Sequence, residues 1–260
     1  MSTLLIDITD KNIATLTLNR PLTHNAFDDQ LIRDLMAAVR GLEQKPQVRA
    51  VLLTANGPSF CAGADLQWMK RTAGYSQPDN QREAEDLAGV MRRLSILPKP
   101  TIAVVQGAAY GGGVGLVAAC DIAIAAESAT FSFSEVKLGL IPSVISPYVI
   151  NAIGARAARR YFLTGERFSA TEAHRLGLVH EVVPLDTLTR RAEMLVETLL
   201  EGGPRAQTEA KRLVADVAGK PVDSAIMDET ARRIANIRAS DEGREGVTAF
   251  LDKRKPNWTK

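Results

Sequence analysis

Metal sites and disulfide frameworks need histidine and cysteine, and this sequence has little of either. Its 260 residues include three histidines and two cysteines, Cys61 and Cys120, which stand far apart in the chain. No pair has the spacing of zinc ligands, and the cysteines form no CxxC motif. We therefore expect no metal and no disulfide. Cysteine usage of this kind favours a reducing compartment, with the cytoplasm as the default location.

Nucleic-acid and membrane partners are disfavoured by further absences. The net charge is only +2 and aromatic residues make up 5% of the chain, so no basic stripe with aromatics marks a nucleic-acid surface. The apolar runs are too short to cross a bilayer, and no basic segment precedes a long apolar core at the N-terminus. Hydrophobic residues at 45% and charged residues at 24% are typical of a soluble globular protein.

Strand and helix patterns alternate over the first two-thirds of the chain. Residues 13–18 alternate with period two, and short apolar runs at 49–54, 101–106 and 121–126 also predict strands. Residues 27–44 repeat their leucines and valine with helical spacing. Repeated units of this kind predict an α/β fold with a mostly parallel sheet covered by helices.

The last third is predicted to contain helices and no strands. Ser169 and Glu172 form a capping box that begins one short helix. Residues 75–81, earlier in the chain, are polar and predict a loop. We divide the chain into a core of residues 1–195 and a C-terminal helical region of residues 196–260, for which we expect a role in oligomerisation.

Two turns rich in glycine and alanine point most directly to function. Residues 60–65 read FCAGAD and residues 106–115 read QGAAYGGGVG, and each turn follows a strand-like apolar run. Backbone without bulky side chains lets a ligand approach main-chain N–H groups, although close packing of helix on strand needs the same residues. Two such turns that converge would form an oxyanion hole, with Ala62 as one donor, and would indicate an acyl-group enzyme.

Glu135 is the candidate acid–base group. Most glutamates are solvated at the surface, but apolar residues flank this one on both sides. Burial would raise its pKa and suit it to proton transfer near neutral pH. A dinucleotide-binding oxidoreductase is a weaker alternative, because residues 113–118 match GxGxxA but several residues separate the first glycine from the preceding strand.

Six segments together resemble the enoyl-CoA hydratase/isomerase (crotonase) superfamily, in order and over nearly the whole chain. They are residues 19–26, 60–66, 107–121, 135–142, 163–179 and 249–255. The resemblance implies a spiral of ββα units with a C-terminal helical trimerisation region. It also implies a homotrimer or dimer of trimers, acyl-CoA as substrate, and no cofactor beyond the CoA that the substrate carries. RNA binding occurs in one protein related to this superfamily, but the slight net charge of this chain disfavours an RNA-binding role.

The resemblance also assigns site residues. The N–H groups of Ala62 and Gly112 would hold the thioester oxygen, and Glu135 would be the catalytic carboxylate. The positions that match CoA contacts are His24, Ala62, Gly63, Ala64, Asp65, Leu66, Gly112, Phe250 and Lys253.

The chain departs from the hydratase pattern at Gly115, where a first glutamate is usual. Glu135 would then carry out both proton transfers, unless water or a substrate group supplies the second function. Δ3,Δ2-enoyl-CoA isomerases also have one glutamate, so isomerisation is the alternative. Residues 144–148 resemble bacterial methylglutaconyl-CoA and isohexenylglutaconyl-CoA hydratases of leucine and acyclic-terpene breakdown. We therefore expect hydration of a branched, carboxylated 2-enoyl-CoA such as 3-methylglutaconyl-CoA, with Lys70, Arg71 or Lys137 as the partner of the distal carboxylate.

Overall fold

The computed structural model describes residues 2–259, which form ten strands and ten α-helices. The strands are β1 (Leu4–Ile8), β2 (Ile13–Leu18), β3 (Ala50–Ala55), β4 (Ser59–Cys61), β5 (Thr101–Val105), β6 (Ala108–Tyr110), β7 (Ile122–Ala126), β8 (Thr130–Ser132), β9 (Arg167–Ser169) and β10 (Glu181–Val183). The helices are α1 (Asp29–Glu43), α2 (Leu66–Thr72), α3 (Gln77–Ile96), α4 (Gly112–Ala119), α5 (Ser146–Thr164), α6 (Ala170–Leu176), α7 (Leu188–Glu201), α8 (Pro204–Val217), α9 (Ser224–Ala239) and α10 (Asp241–Leu251).

The strands form two sheets. The larger has the order β1-β2-β3-β5-β7-β10 and is parallel except for β1. The smaller has the order β4-β6-β8-β9 and is parallel except for β9. Three successive units each place one strand in the larger sheet and the next in the smaller, before a helix follows. This confirms the predicted α/β spiral of ββα units.

The apolar patterns that predict strands and helices correspond to the residues that the fold buries. The whole of β5 is buried, as expected for a parallel strand covered on both faces. Helix α1 begins at Asp28, whose carboxylate accepts from the Leu31 N–H at 2.8 Å, and the predicted apolar face of the helix is buried. The large side chains in the core include Phe27, Phe60 and Phe131, all fully buried.

Two expectations about local structure are wrong. The last third contains the short strands β9 and β10, which pair with β8 and β7. The segment 75–81 is a loop only as far as Ser76, because Ser76 caps α3 by accepting from the Asp79 N–H, and Pro78 fits the first helical turn. Ser169 caps α6 as predicted, since its hydroxyl accepts from the Glu172 N–H at 3.2 Å. The Glu172 carboxylate accepts from Tyr161 and Arg175 instead, so the reciprocal half of the capping box is not formed.

The C-terminal helices attach to the core at defined points. The division after residue 195 falls inside α7, whose Leu188, Ala192 and Val196 pack in a cluster on the larger sheet. Helix α8 is anchored by Lys211, whose Nζ lies 2.8 Å from Asp121 Oδ2. None of the helices between residues 2 and 259 combines the length and apolar character that a membrane crossing requires.

Candidate active site

Three neighbouring strand ends bring the predicted site segments together. Strands β4, β6 and β8 lie side by side and parallel, so their carboxyl ends meet at one edge of the smaller sheet. The turn 62–65 follows β4, Gly111 and α4 follow β6, and the 3-10 helix Ser134–Leu138 with Glu135 follows β8. The edge therefore gathers two backbone turns and one carboxylate.

The first turn is held by a non-local backbone pairing. The Ala62 N–H donates to the His24 carbonyl at 3.0 Å, and the Phe27 N–H donates to the Gly63 carbonyl at 2.7 Å. The Asp65 N–H then donates to the Phe27 carbonyl at 2.8 Å. The Ala62 N–H therefore already has an acceptor within the chain and is not available as the predicted oxyanion donor.

Ala64 supplies the unpaired donor of this turn. In the parallel bridge between Phe27 and Ala64, the bonded groups belong to the residues on either side of Ala64, so its own N–H faces away from Phe27. Across residues 2–259 that N–H has no hydrogen-bond acceptor. Gly63, with φ 92°, interrupts the extended chain between Ala62 and Ala64, so their two N–H groups do not face the same partner. The unpaired donor is therefore two residues beyond the predicted one.

The second donor is the first residue of α4. Gly111 precedes the helix without any side-chain cap, and the N–H groups of Val114 and Gly115 both donate to its carbonyl. The Gly112 N–H has no acceptor in the described chain, as is usual for the first residue of a helix. A helix N-terminus favours negative charge, so the Gly112 N–H is suited to a developing oxyanion.

Phe27 links the two turns, and sequence patterns gave no reason to select it. Its backbone bonds to Gly63 and Asp65, and its ring packs beneath Gly112, where an added Cβ would stand 2.8 Å from Cε2. The ring is fully buried. Phe27 therefore fixes the spacing of the two turns, and glycine at position 112 is required by this close approach.

The Glu135 carboxylate lies beside these turns in a partly buried position. Its Oε2 is buried and lacks a hydrogen-bond partner within residues 2–259. Burial raises the pKa of Glu135 above its ordinary value, although its own backbone N–H opposes the shift. A half-buried carboxyl group with an unused oxygen is suited to accept and return a proton near neutral pH.

The space beside Gly115, where hydratases usually carry a glutamate, is occupied by the side chains of Ile145 and Met91. Gly115 lies one helical turn after Gly111 on the same face of α4. A Cβ at Gly115 would overlap the Cγ2 methyl of Ile145 and stand 3.1 Å from Cε of Met91. Ile145 and Met91 are both buried, so this part of the site is apolar and closed. No side chain fits at position 115 unless Ile145 moves.

Asp65 has a structural role. Its carboxylate caps α2 by accepting from the N–H groups of Gln67 at 2.8 Å and Trp68 at 3.2 Å. It also pairs with Arg20 at 3.0 Å. Burial opposes ionisation, but the backbone donors and Arg20 lower its pKa. The carboxylate is therefore engaged within the protein.

The remaining predicted CoA contacts fall into two groups. His24 and Leu66 are exposed beside the first turn, and His24 Nδ1 lies 3.0 Å from Ser59 Oγ. Phe250 and Lys253 are exposed at the end of α10, which packs on α8 and α9. The structure brings the first group to the site edge and places the second group on the C-terminal helices.

Thiol and dinucleotide chemistry do not fit this geometry. Burial raises the pKa of the Cys61 thiol to about 12, so the thiolate needed for nucleophilic attack is not formed near neutral pH. Gly113 and Gly115 of the formal dinucleotide motif lie within α4, and an added Cβ at Gly113 would overlap the Cys61 carbonyl. Both glycines serve close packing. Within residues 2–259, no group of three acidic, histidine or cysteine side chains is arranged to hold a metal ion.

The fold and the site define an α/β enzyme class in which two backbone turns face a half-buried carboxylate. The family model described as enoyl-CoA hydratase/isomerase matches residues 9–260, and the chain belongs to this family. Enoyl-CoA hydration or isomerisation is thus the type of reaction, with acyl-CoA as the substrate class.

Individual relatives resemble the chain over nearly its full length. The crystal structure of an enoyl-CoA hydratase from Shewanella pealeana ATCC 700345 is 44% identical with a TM-score of 0.95, covering 98% of this chain and 96% of that one. The 1,2-epoxyphenylacetyl-CoA isomerase of Escherichia coli K12 is 35% identical, covering 96% of each sequence. The mevalonyl-coenzyme A hydratase sidH of Aspergillus fumigatus is 34% identical, covering 98% of this chain and 94% of its own.

Proposed function

We propose that this enzyme hydrates a 2-enoyl-CoA with Glu135 as its only acid–base carboxylate. The observation that carries the proposal is the meeting of Glu135 with two unpaired backbone donors, Ala64 and Gly112, at one sheet edge. The thioester oxygen binds between those donors. They stabilise the enolate more than the neutral thioester, because negative charge develops on that oxygen.

Both proton transfers pass through the same carboxylate. Glu135 removes a proton from water while the water oxygen bonds to C3 and the double-bond electrons move toward the thioester oxygen. The enolate then collapses, and C2 takes the proton back from Glu135. One C–O bond and one C–H bond form, the C2–C3 π bond is lost, and Glu135 ends as it began. The raised pKa of Glu135 favours this exchange near neutral pH.

We assign the substrate to the branched, carboxylated 2-enoyl-CoAs, with 3-methylglutaconyl-CoA as the first candidate. Support comes from the sequence of residues 144–148, which lead into α5 and place Ile145 against Gly115. Of the three candidate cations for the distal carboxylate, Arg71 is already paired with Asp29. Lys70 and Lys137 therefore remain the candidates, and Lys137 lies in the same 3-10 turn as Glu135.

Δ3,Δ2-enoyl-CoA isomerisation is the second candidate, and the apolar filling at Gly115 favours it. A single carboxylate can move a proton from C2 to C4 of a 3-enoyl-CoA without a second acid. The filled space beside Gly115 holds no group that would activate water from the other side. The two reactions share the oxyanion donors and Glu135, and they differ in whether oxygen enters the product.

Assembly, location and CoA contacts complete the proposal. The exposed apolar side chains on α8, α9 and α10 support a homotrimer or dimer of trimers; they are Val214, Met227, Ile234, Val247, Phe250 and Leu251. CoA lies along residues 62–66 and His24, and Phe250 and Lys253 complete its binding. We place the enzyme in the cytoplasm and assign it no separate cofactor. Light scattering of the purified protein measures the oligomer.

Product analysis in heavy-oxygen water tests the function. The enzyme is incubated with 3-methylglutaconyl-CoA and, separately, with an unbranched 3-enoyl-CoA. Heavy oxygen at C3 of the first product supports the hydratase and its substrate class. A shifted double bond without label in the second, and no label in the first, replaces the hydratase with the isomerase. The E135Q variant is the control, because it should lose turnover while CoA binding persists.

A further inference from the structure

We propose that Ile145 is a reaction-specificity-determining residue whose Cγ2 methyl keeps position 115 empty of any side chain and so limits the site to one carboxylate. The inference rests on the proposed function of Glu135. It concerns a residue 30 positions away in the sequence from Gly115, brought to it by the packing of α5 on α4.

The two glycines on one face of α4 meet different neighbours. At Gly111, the direction of a Cβ leads to Glu135, whose Oε1 is 3.0 Å from that point. At Gly115, one turn further along, the same direction leads into the Cγ2 methyl of Ile145, with the Ile145 Cβ at 3.0 Å. This face of α4 therefore contacts the Glu135 carboxylate at its first turn and the apolar side chain of Ile145 one turn later.

Ile145 is the rigid neighbour of Gly115. Its methyl branches from Cβ, so only rotation about χ1 can move it, and the residue is 2% exposed just before α5. Met91 also reaches Gly115, but through the end of a long flexible side chain that can withdraw. The Cγ2 methyl of Ile145 is thus the group that decides whether a side chain can stand at position 115.

The chemical consequence concerns the second proton. A carboxylate at position 115 would project from the turn of α4 next to the Glu135 carboxylate and would offer a separate acid or base. With Ile145 in place, one carboxylate must both remove and return the proton. This restricts the enzyme to reactions in which the Glu135 carboxylate can reach both the atom that loses a proton and the atom that gains one.

A stability cycle tests the blocking methyl without reference to activity. The variants are G115A in the native, I145V and I145A backgrounds; valine keeps the Cγ2 methyl and alanine removes it. We expect G115A to lower Tm by roughly 3–10 °C in the native and I145V backgrounds, and by clearly less in the I145A background. An equal loss of Tm in the I145V and I145A backgrounds would overturn the role of the methyl.

A second comparison tests the chemistry, with G115E/I145A against the isosteric G115Q/I145A. We expect the glutamate variant to show an additional ionisation in the pH profile of kcat/KM and at least about tenfold faster hydration of a 2-enoyl-CoA. Identical pH profiles and rates in the two variants would overturn the inference. Failure of the proposed function is a separate result: the native enzyme would neither hydrate nor isomerise enoyl-CoA, while the Tm cycle would still report on Ile145.

Discussion

The Glu135 carboxylate occupies the space beside Gly111 that a side chain would fill, with Oε1 3.0 Å from the point where a Cβ would stand. Gly111 has φ 50° and ψ −120°, a conformation that side chains disfavour. The absence of a side chain therefore serves two purposes at this residue. It permits the turn from β6 into α4, and it leaves the space that the carboxylate occupies.

Replacing Gly111 by alanine should displace Glu135. We expect G111A to lower kcat by roughly 10- to 100-fold, because a catalytic group moved by about 1 Å loses its productive geometry. KM should change less than kcat. Steady-state kinetics measures both. The control is G41A on α1, where an added Cβ meets nothing within 4 Å and activity should persist. Equal kcat in G111A and the native enzyme would contradict the positioning role.

Replacing single backbone N–H groups by ester oxygens separates Ala64 from Ala62. Incorporation of lactate at position 64 removes the unpaired donor, and we expect kcat to fall by about 10²–10³-fold. Lactate at position 62 removes the bond to the His24 carbonyl instead. That variant should lose about 1 kcal/mol of stability and keep most of its kcat. The opposite pattern of kcat losses would restore Ala62 as the oxyanion donor.

The pH dependence of stability should reveal the buried Glu135. Burial raises its pKa in the folded state, so the folded protein holds this proton more tightly than the unfolded chain does. Its contribution to the free energy of unfolding is present below the unfolded pKa and is lost as the pH rises through the folded pKa. E135Q should therefore be more stable than the native enzyme at neutral pH, and the difference should shrink in acid. Urea unfolding across pH measures it.

Glu172 provides a control of opposite sign for that experiment. Hydrogen bonds from Arg175 and Tyr161 lower its pKa to about 2. Its stabilising contribution is present above the unfolded pKa and is lost as the pH falls toward 2. E172Q should be less stable than the native protein at neutral pH and converge with it in acid. The same trend in both variants would refute the assignment of a raised pKa to Glu135.

The ion pair between Lys211 and Asp121 should contribute measurably to stability. Lys211 is only 15% exposed, and its Nζ also donates to the Lys99 carbonyl at 3.2 Å. We expect K211M to lower the free energy of unfolding by about 1–3 kcal/mol, since it removes hydrogen bonds to a charged group. R190M breaks an exposed pair with Glu193 and should cost less than about 1 kcal/mol. Equal losses in urea titrations would contradict the anchoring role of Lys211.

The long strands of the larger sheet are predictable because each contains enough residues to show an alternating or continuous apolar pattern. Residues 13–18, 49–54, 101–106 and 121–126 correspond to β2, β3, β5 and β7. The three-residue strands β4, β6 and β9 are too short to show a period, so the smaller sheet was largely missed. Its existence nevertheless decides the site, because its edge gathers the turns that composition had singled out.

The sequence predicts which segments form the candidate site, but it does not predict which backbone N–H groups are unpaired. Whether Ala62 or Ala64 faces the ligand depends on pairing with residues 24–27, which no local pattern reveals. The closure at Gly115 depends on Ile145, a contact between distant parts of the chain. Local sequence identifies a turn that can expose N–H groups, while tertiary packing decides which group is exposed.

The ββα repeat places the three site segments in separate structural units. Each of the three site segments closes a different unit, after β4, β6 or β8, and the long strands that carry most of the sheet lie elsewhere. A substitution in one turn therefore leaves the strands that hold the other two turns in place. The acid–base group after β8 and the backbone donors after β4 and β6 consequently lie in segments that can be mutated separately.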